Sequence, residues 1–413
     1  MAFHPEGRRP FPFSPPALSR RLLRGTALAL AGAAAGAATG LLDSLFSYVL
    51  TSLAAFREAH LFLMLPFLPL AGLLLVWLSR RGGFAAADPM EETFRAAENE
   101  PHRLPWRTIP FVMTAAWLTH GFGGSAGRVG VAVPMGAVLA DHVSTLFKAP
   151  SSRRILLIAG MAAGFGGLFQ APAAGVFFAM EILSSRRLAG DAFLAALTAS
   201  WSACFTARML GIPHLAALVP AAPPAEPLPL LLCAAAGLLF GAAGGSFAWT
   251  MTAARRVFAA KAPNPYIRIV AAGAAAAVLS LLLQSGRYSG LSAAMAAAAF
   301  TGGTIFWYDW IAKYALTILT RASGYQGGDV MPLLCIGAAL GAWIAPLAGF
   351  PAPLMAACGA VAVFAGAANI LLAPLCLGME LFGWEAMPFF FTACVMARAA
   401  AGGQHLYRLQ KME

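Results

Sequence analysis

The sequence predicts an all-α integral membrane protein, on the evidence of its composition and of the length of its apolar segments. Of the 413 residues, 60% are hydrophobic and 11% are charged, and the mean hydropathy is +0.73, whereas about a quarter of the residues in a soluble domain are charged. Segments such as Leu61 to Leu78 and Leu228 to Trp249 approach or exceed the roughly 20 residues that a helix needs to cross a bilayer. They are too long and too rich in Ala and Leu for the alternating strands of a barrel, so helices are expected.

The basic residues predict contact with a membrane surface. The formal net charge is +11, and arginine pairs such as Arg80–Arg81 and Arg255–Arg256 lie at the ends of apolar segments. This pattern is typical of cytoplasmic loops that meet anionic lipid headgroups, and it does not favour nucleic acid as a partner. Residues 1–25 are basic and precede far more apolar length than a signal peptide contains, which predicts a retained cytoplasmic N-terminal tail.

The sequence carries no motif that predicts catalysis. The six cysteines lie in apolar segments, without CxxC spacing and without a neighbouring His or acid, so we expect neither disulfides nor a metal site. A Walker loop, a catalytic triad pattern and an HExxH motif are all missing from the sequence. We therefore expect no enzyme activity, no metal and no cofactor.

The chain divides into two halves with a shared pattern. A proline-rich linker over residues 212–227 separates a first membrane repeat (26–211) from a second (228–408), and residues 409–413 form a C-terminal tail. Each half contains a glycine-rich segment, "GGSAGRVGVAVPMGA" (123–137) in the first and "GYQGGDVMPLLCIGAALGA" (324–342) in the second. Matched glycine- or proline-interrupted segments are typical of transporters that bind their substrate between two repeats, with helices that are broken or tilted.

The two glycine-rich segments predict an anion site. A helix that begins inside the membrane presents free N–H groups and the positive end of its dipole, which attract an anion without a full positive charge. Gly127, Gly130 and the pair Gly327–Gly328 would let the backbone approach an ion closely. Taken singly, such glycines are also typical of helix-packing seams, but their matched positions, with Arg128 in one segment and Asp329 in the other, favour a functional site.

Two further patterns predict local structure. Asp88 and Pro89, followed by Glu91 and Glu92, are typical of the start of a helix, with a capping side chain, a proline at the first position and acids in the first turn. Both repeats also contain a small-residue helix that ends in Met-Glu. These two ends are Glu181 and Glu380. Their carboxylates are expected to cap a helix or to form hydrogen bonds at helix junctions.

Together these motifs resemble the CLC family of chloride channels and anion/proton antiporters. The first glycine-rich segment is similar to the family's G-x-S-x-G-R-E-G-P motif, "GFGGLFQAPAAGVFFAME" to its F-N-A-P-L-A-G helix, and "GGQHLY" to the C-terminal segment that supplies a pore tyrosine. Within the family, "GYQGGDVMPL", "GRYSGLS" and "MELFG" resemble the fluoride-exporting branch. Ile182 stands where chloride antiporters have an internal proton-relay glutamate, which also fits that branch.

The resemblance implies an inverted-repeat helical fold, a homodimer with one anion pathway per subunit, and a bacterial inner membrane location with both termini cytoplasmic. The implied substrates are fluoride or chloride, with protons as a second candidate. The residues that it implies for the anion site are the backbone amides around Gly127, Arg128, Val129, Gly130 and Val131, the facing amides of Val330 and Met331, and the hydroxyl of Tyr407.

Three departures from the family pattern bear on the mechanism. Val129 occupies the position of the gating glutamate and can neither ionise nor carry a proton, which predicts passive anion flow. Asp329 replaces the glutamate of the fluoride branch; a carboxyl in a low-dielectric site can still bind a proton, and the alternative is that it simply caps the helix that follows. Ala86, within "AAADP", takes the central-site position of the family's G-S-G-I-P or G-M-G-x-P motif and offers the ion no side-chain donor.

Three hypotheses for function follow. The first is a passive or weakly proton-coupled pathway for fluoride or chloride. The second is a fluoride/proton antiporter in which Asp329 is the proton carrier. The third is a membrane scaffold or anion sensor that does not transport, suggested by the combined loss of the gate and of the central side chain.

Overall fold

The structure, a computed structural model, describes residues 15–84, 88–98, 103–147, 149–183, 190–212 and 222–407. The all-α prediction is confirmed. The helices of the first half are α1 (Pro15–Ala59), α2 (Leu61–Met64), α3 (Leu68–Gly82), α4 (Pro89–Ala97), α5 (Thr108–Gly121), α6 (Val129–Val143), α7 (Pro150–Phe169), α8 (Pro172–Glu181) and α9 (Phe193–Met209). Those of the second half are α10 (Pro227–Lys261), α11 (Pro265–Leu282), α12 (Ala293–Thr301), α13 (Asp309–Ser323), α14 (Val330–Ala348), α15 (Ala352–Ala368), α16 (Leu372–Phe382) and α17 (Met387–Ala400).

The helix bounds differ in detail from the expected divisions of the chain. Helix α1 begins at Pro15, so the later part of the expected tail (1–25) is helical, because the helix of the first apolar segment extends back through the basic residues. Helix α10 begins at Pro227, the last residue of the expected linker. Most of that linker and the C-terminal segment 409–413 lie outside the described residues.

Seven helical segments of the described chain are long and apolar enough to cross a membrane. Some of them are mostly enclosed by other helices, as is Ser151–Phe169, of which 89% of the tested window is buried. Others, such as α4 and α8, are only about ten residues long and would not cross a bilayer alone. The expected mixture of spanning and interrupted helices is therefore present.

The two halves repeat the same set of helix contacts. In the first half α6 packs on α7, and both α1 and α7 pack on α9; in the second, α14 packs on α15, and both α10 and α15 pack on α17. Across the halves, α3 packs on α11 and α8 on α16. The helices named here therefore have counterparts in the other half with equivalent neighbours, as the internal similarity of the sequence predicts.

Small residues let the paired helices approach closely. A Cβ atom on Gly136 of α6 would collide with the carbonyl oxygen of Gly160 of α7, and one on Gly160 would collide with the carbonyl oxygen of Gly136. Gly337 of α14 and Gly359 of α15 stand in the same reciprocal relation. At these four positions the glycines serve helix packing, in agreement with the alternative interpretation of the glycine-rich segments.

The two Met-Glu ends form the junction of α8 and α16. The Glu181 carboxylate accepts hydrogen bonds from the backbone N–H groups of Leu371, Leu372 and Ala373 at 3.2, 3.0 and 2.8 Å. The Glu380 carboxylate accepts from Ala173 and Ala174, both at 2.9 Å. Each carboxylate thus satisfies the free N–H groups at the start of the opposite helix, which confirms the predicted capping role.

Candidate anion pathway

The two glycine-rich segments meet in the protein interior. The backbone N–H of Gly127 donates to the carbonyl oxygen of Gly328 at 2.6 Å, and that of Gly328 donates to the carbonyl oxygen of Gly127 at 2.7 Å. This antiparallel bridge lies immediately before both α6 and α14, which begin at Val129 and Val330. Two helix N-termini from different halves are therefore held next to each other.

Free backbone donors are expected at the start of each helix, because the first N–H groups have no partner within the helix. The N–H of Val131, however, donates back to the carbonyl oxygen of Arg128 at 2.9 Å. The family resemblance implies several amides of α6 for the anion site. Among them, those of Val129 and Gly130 precede the first hydrogen bond of the helix.

Gly328 lies directly over these two donors. A Cβ atom at Gly328 would stand 2.6 Å from the nitrogen of Gly130 and 2.8 Å from that of Val129. A Cβ at Gly130 would in turn collide with the carbonyl oxygen of Gly327. Only residues without a side chain fit at this crossing beside the first amides of α6.

A narrow cavity of about 30 Å³ lies beside the bridge. A cavity of this size holds a single water molecule or an ion of similar radius, since one water requires roughly 10–15 Å³ on this measure. Backbone from both glycine-rich segments contributes to its wall, together with an aromatic hydroxyl and several charged side chains. The residues that line this cavity include Gly130, Gly328, Asp329, Tyr407, Asp88, Glu91, Arg255 and Arg321.

The remaining site candidates take different positions. Tyr407 is half-buried at the narrow cavity, and its ring packs edge-on against Phe94 with centroids 5.3 Å apart. Val330 and Met331 are buried in the first turn of α14. Ala86 lies outside the described residues, although Phe84 and Asp88 on either side of it both line the neighbouring cavity.

Val129, at the position where the family resemblance implies a gating glutamate, has a buried apolar side chain, 1% exposed. No carboxylate therefore projects from this residue towards the amides of α6. Its neighbour Arg128 has a buried Nε atom without a hydrogen-bond partner, and both carboxylate oxygens of the buried Asp43 are also without one. Arg128 and Asp43 interact electrostatically, but the structure places no hydrogen bond between them.

Asp329 does not cap α14 with its side chain. Its carboxylate instead accepts a hydrogen bond from the Nε of Arg321 at 2.9 Å, and both residues are buried. Arg321 carries no distinguishing signal in the sequence, because an arginine in the last turn of a helix looks like any other arginine at a membrane surface. The pairing places one carboxylate and one guanidinium group at the wall of the narrow cavity.

A wider cavity of about 390 Å³ adjoins the narrow one. Its rim includes the exposed residues Arg80 and Gly324, so it communicates with the surface. Asp88, Glu91, Arg255 and Arg321 line both cavities. Asp88 is held in position by capping α4: its side chain accepts a hydrogen bond from the N–H of Met90 at 3.0 Å. The predicted start of this helix is therefore confirmed.

Comparison with known proteins identifies the family. A sequence profile described as "Voltage gated chloride channel" matches residues 71–402. A chloride/fluoride channel protein of Pseudomonas syringae pv. tomato is 34% identical over 406 residues, covering 93% of this chain and 86% of that protein.

Solved structures agree in fold. The crystal structure of a CLC-type fluoride/proton antiporter superposes with a TM-score of 0.91 at 40% identity, covering 94% of this chain and 98% of that one. A slow cyanobacterial Cl⁻/H⁺ antiporter has a TM-score of 0.80 at 22% identity, covering 92% and 96%, and shares the fold. With opposed helix N-termini at a cavity of ionic size and a family match over most of its length, this chain belongs to the voltage-gated chloride channel (CLC) family of transmembrane anion transport proteins.

Proposed function

We propose that the protein conducts fluoride through a pathway in each subunit, without the proton exchange that a gating glutamate would provide. The observation that carries this proposal is the buried Val129 at the first position of α6, beside the bridge between Gly127 and Gly328. The amides of Val129 and Gly130 and the hydroxyl of Tyr407 would bind the anion. The choice of fluoride over chloride is supported by the names of the relatives, one a chloride/fluoride channel and one a fluoride/proton antiporter.

The uncoupled mechanism follows from side-chain chemistry. An ionised glutamate at a helix N-terminus would compete with the anion for the same N–H groups and would release them when protonated. Valine does neither, so the amides remain open to the anion at any pH. A charge-neutral site of backbone dipoles also binds weakly enough to let the ion leave.

Proteoliposomes test this proposal. Vesicles loaded with fluoride or with chloride and made permeable to potassium should lose fluoride at a rate set by the electrical gradient, with no alkaline or acid shift of the external solution. Chloride efflux should be slower. Proton movement in a fixed ratio to fluoride efflux would contradict the uncoupled mechanism.

A second candidate function is fluoride/proton antiport with Asp329 as the proton carrier. It is favoured by the position of this carboxylate on the wall of the narrow cavity, close to Gly328 and Tyr407. In that case Asp329→Asn would abolish proton movement and leave fluoride flux, whereas Glu226→Gln, at an exposed residue before α10, would leave both unchanged.

We further propose that the chain forms a homodimer with one pathway per subunit in a bacterial inner membrane, with both termini in the cytoplasm. The arginine pairs at the ends of apolar segments support this orientation. The pathway described above is built from residues of a single chain, and nothing in it requires enzymatic chemistry. Cross-linking in native membranes and accessibility of single cysteines placed near each terminus would test the dimer and the orientation.

A further inference from the structure

Arg321 stands between the wide and the narrow cavity and holds three partners at once. Its Nε donates to Asp329 at 2.9 Å, its Nη1 donates to the carbonyl oxygen of Tyr325 at 2.7 Å, and its Nη2 lies 3.7 Å from a carboxylate oxygen of Asp88. This guanidinium group lines both cavities, as do Asp88, Glu91 and Arg255.

The charged groups around the narrow cavity balance one another. On the acidic side are Asp88 and Glu91 of the α4 segment and Asp329 before α14. On the basic side are Arg321 of α13 and Arg255 of α10, both at the cavity wall, and Arg95, which binds Glu91 at 2.6 Å. Tyr407 contributes a neutral hydroxyl and α6 contributes only backbone. Because the charged groups already balance, an anion that enters the cavity adds one negative charge that no group of the wall neutralises.

Among the three carboxylates, that of Asp329 is the one deepest in the protein. Asp329 is 4% exposed, whereas the side chains of Asp88 and Glu91 are 31% and 26% exposed. Asp88 is also held by the N-terminus of α4 and Glu91 by Arg95. The side chain of Asp329 makes no capping hydrogen bond. Its carboxylate is held by the hydrogen bond from Arg321.

We propose that Arg321 is a halide-binding residue, and that an anion in the narrow cavity replaces the carboxylate of Asp329 as the partner of its Nε. The displaced carboxylate then takes one proton from a hydronium ion that reaches it through the wide cavity: one O–H bond forms on Asp329, one O–H bond of the hydronium ion breaks, and a water molecule and a neutral carboxylic acid result. The narrow cavity holds the same net charge before and after, and the anion and the proton bind together. This inference rests on the proposed function and identifies the group that controls occupancy of the pathway.

Reciprocal linkage follows from this exchange. If fluoride binding promotes protonation of Asp329, then acidification must raise the affinity for fluoride by the same factor. Uncoupled flux through the pathway remains possible, because the proton can return to the side from which it came when the anion leaves.

Calorimetric titration of the purified full-length protein in detergent with sodium fluoride tests the proposal. The titration is run at one pH in two buffers whose heats of ionisation differ, so that the difference in observed heat gives the number of protons taken up. We expect uptake of a substantial fraction of one proton per bound fluoride. In Asp329→Asn we expect no uptake and an affinity at least equal to that of the wild type, because the competing carboxylate is gone.

The arginine is tested in a background that keeps the buried charges balanced. Arg321→Gln alone leaves Asp329 without its partner and could fail to fold, so the informative variant is the double change Arg321→Gln with Asp329→Asn. We expect this double variant to bind fluoride at least about tenfold more weakly than Asp329→Asn alone, as the loss of a charge-assisted hydrogen bond predicts. Arg81→Gln, at an exposed arginine that lines neither of these two cavities, is the matched control and should change the affinity little.

Two results would overturn the inference: fluoride binding by the wild type without proton uptake, or equal affinity in the double variant and in Asp329→Asn. If either result is found together with intact fluoride efflux from proteoliposomes, the inference about Arg321 is wrong and the proposed fluoride conduction is retained. Conversely, proton-linked binding in detergent together with weaker binding by the double variant, but without any efflux, supports the role of Arg321 and rejects transport.

Discussion

Glu181 and Glu380 occupy exchanged positions, since each carboxylate binds the N-terminus of the helix that carries the other. The fold thus contains two kinds of inward-facing helix start. At α8 and α16 an internal carboxylate occupies the free N–H groups, whereas at α6 the backbone of Gly328 lies beside the first two nitrogens. We propose that the helix-end electrostatics that hold the halves together at the first place bind a mobile anion at the second.

Removal of a carboxylate cap should destabilise the protein. In Glu181→Ala three backbone N–H groups lose their acceptor, and the expected cost is at least about 2 kcal/mol. The temperature at which half of the detergent-solubilised protein leaves the monodisperse peak in size-exclusion chromatography should fall clearly. Glu385→Ala, at an exposed position, is the control, and an equal temperature for the two variants would show that the cap contributes nothing.

A methyl group at Gly328 should block the pathway. Because its Cβ would lie 2.6 Å from the nitrogen of Gly130, Gly328→Ala is expected to abolish fluoride efflux. Gly25→Ala is the control, since a Cβ there meets nothing within 4 Å and the change favours the helix. Normal efflux from folded Gly328→Ala protein would place the anion elsewhere.

A carboxylate restored at the gate position should make flux depend on pH. In Val129→Glu the ionised side chain would compete with fluoride for the α6 amides, so efflux should be slow at alkaline pH and should rise as the pH falls and the carboxyl binds a proton. Val129→Gln has nearly the same size and does not titrate, so its efflux should follow the pH dependence of the wild type. If the Glu and Gln variants respond alike, residue 129 does not face the anion.

The hydroxyl of Tyr407 should contribute to anion binding. Tyr407→Phe keeps the edge-on contact with Phe94 and removes one donor, for an expected loss of about fivefold in fluoride affinity, equivalent to roughly 1 kcal/mol. The calorimetric titration described for Arg321 measures it. Tyr48→Phe, at a side chain that is 72% exposed, should bind as the wild type does; an unchanged affinity in Tyr407→Phe would remove the hydroxyl from the site.

Much of the fold could be predicted because it depends on patterns that are local in the chain. Apolar length predicts helices, and the sequence Asp88–Pro89 with acids in the next turn predicts the start of α4, as the structure confirms. The two Met-Glu ends likewise predict carboxylates that cap or hydrogen-bond at helix junctions, as the structure confirms. These signals are strong because backbone N–H groups in an apolar interior must find acceptors nearby.

The charged contacts of the site could not be predicted in the same way. Arg321 and Asp329 are eight residues apart, but their pairing depends on how the loop after α13 turns back, and the sequence offers no period that specifies it. Likewise, the hydrogen bond from Val131 to Arg128 depends on how tightly the first turn of α6 is wound. The family motif implies that both its amides and its side chains take part in anion binding. Which of these groups already make hydrogen bonds within the protein is decided by the three-dimensional structure.

Gly127 and Gly328 join the two halves by a pair of backbone hydrogen bonds in the protein interior. A carrier that rocks one half against the other would break both bonds in every cycle and would leave four polar groups unpaired. Turnover in this protein is therefore expected to proceed within a single stationary frame, with rearrangement confined to side chains such as those of Tyr407 and Arg321.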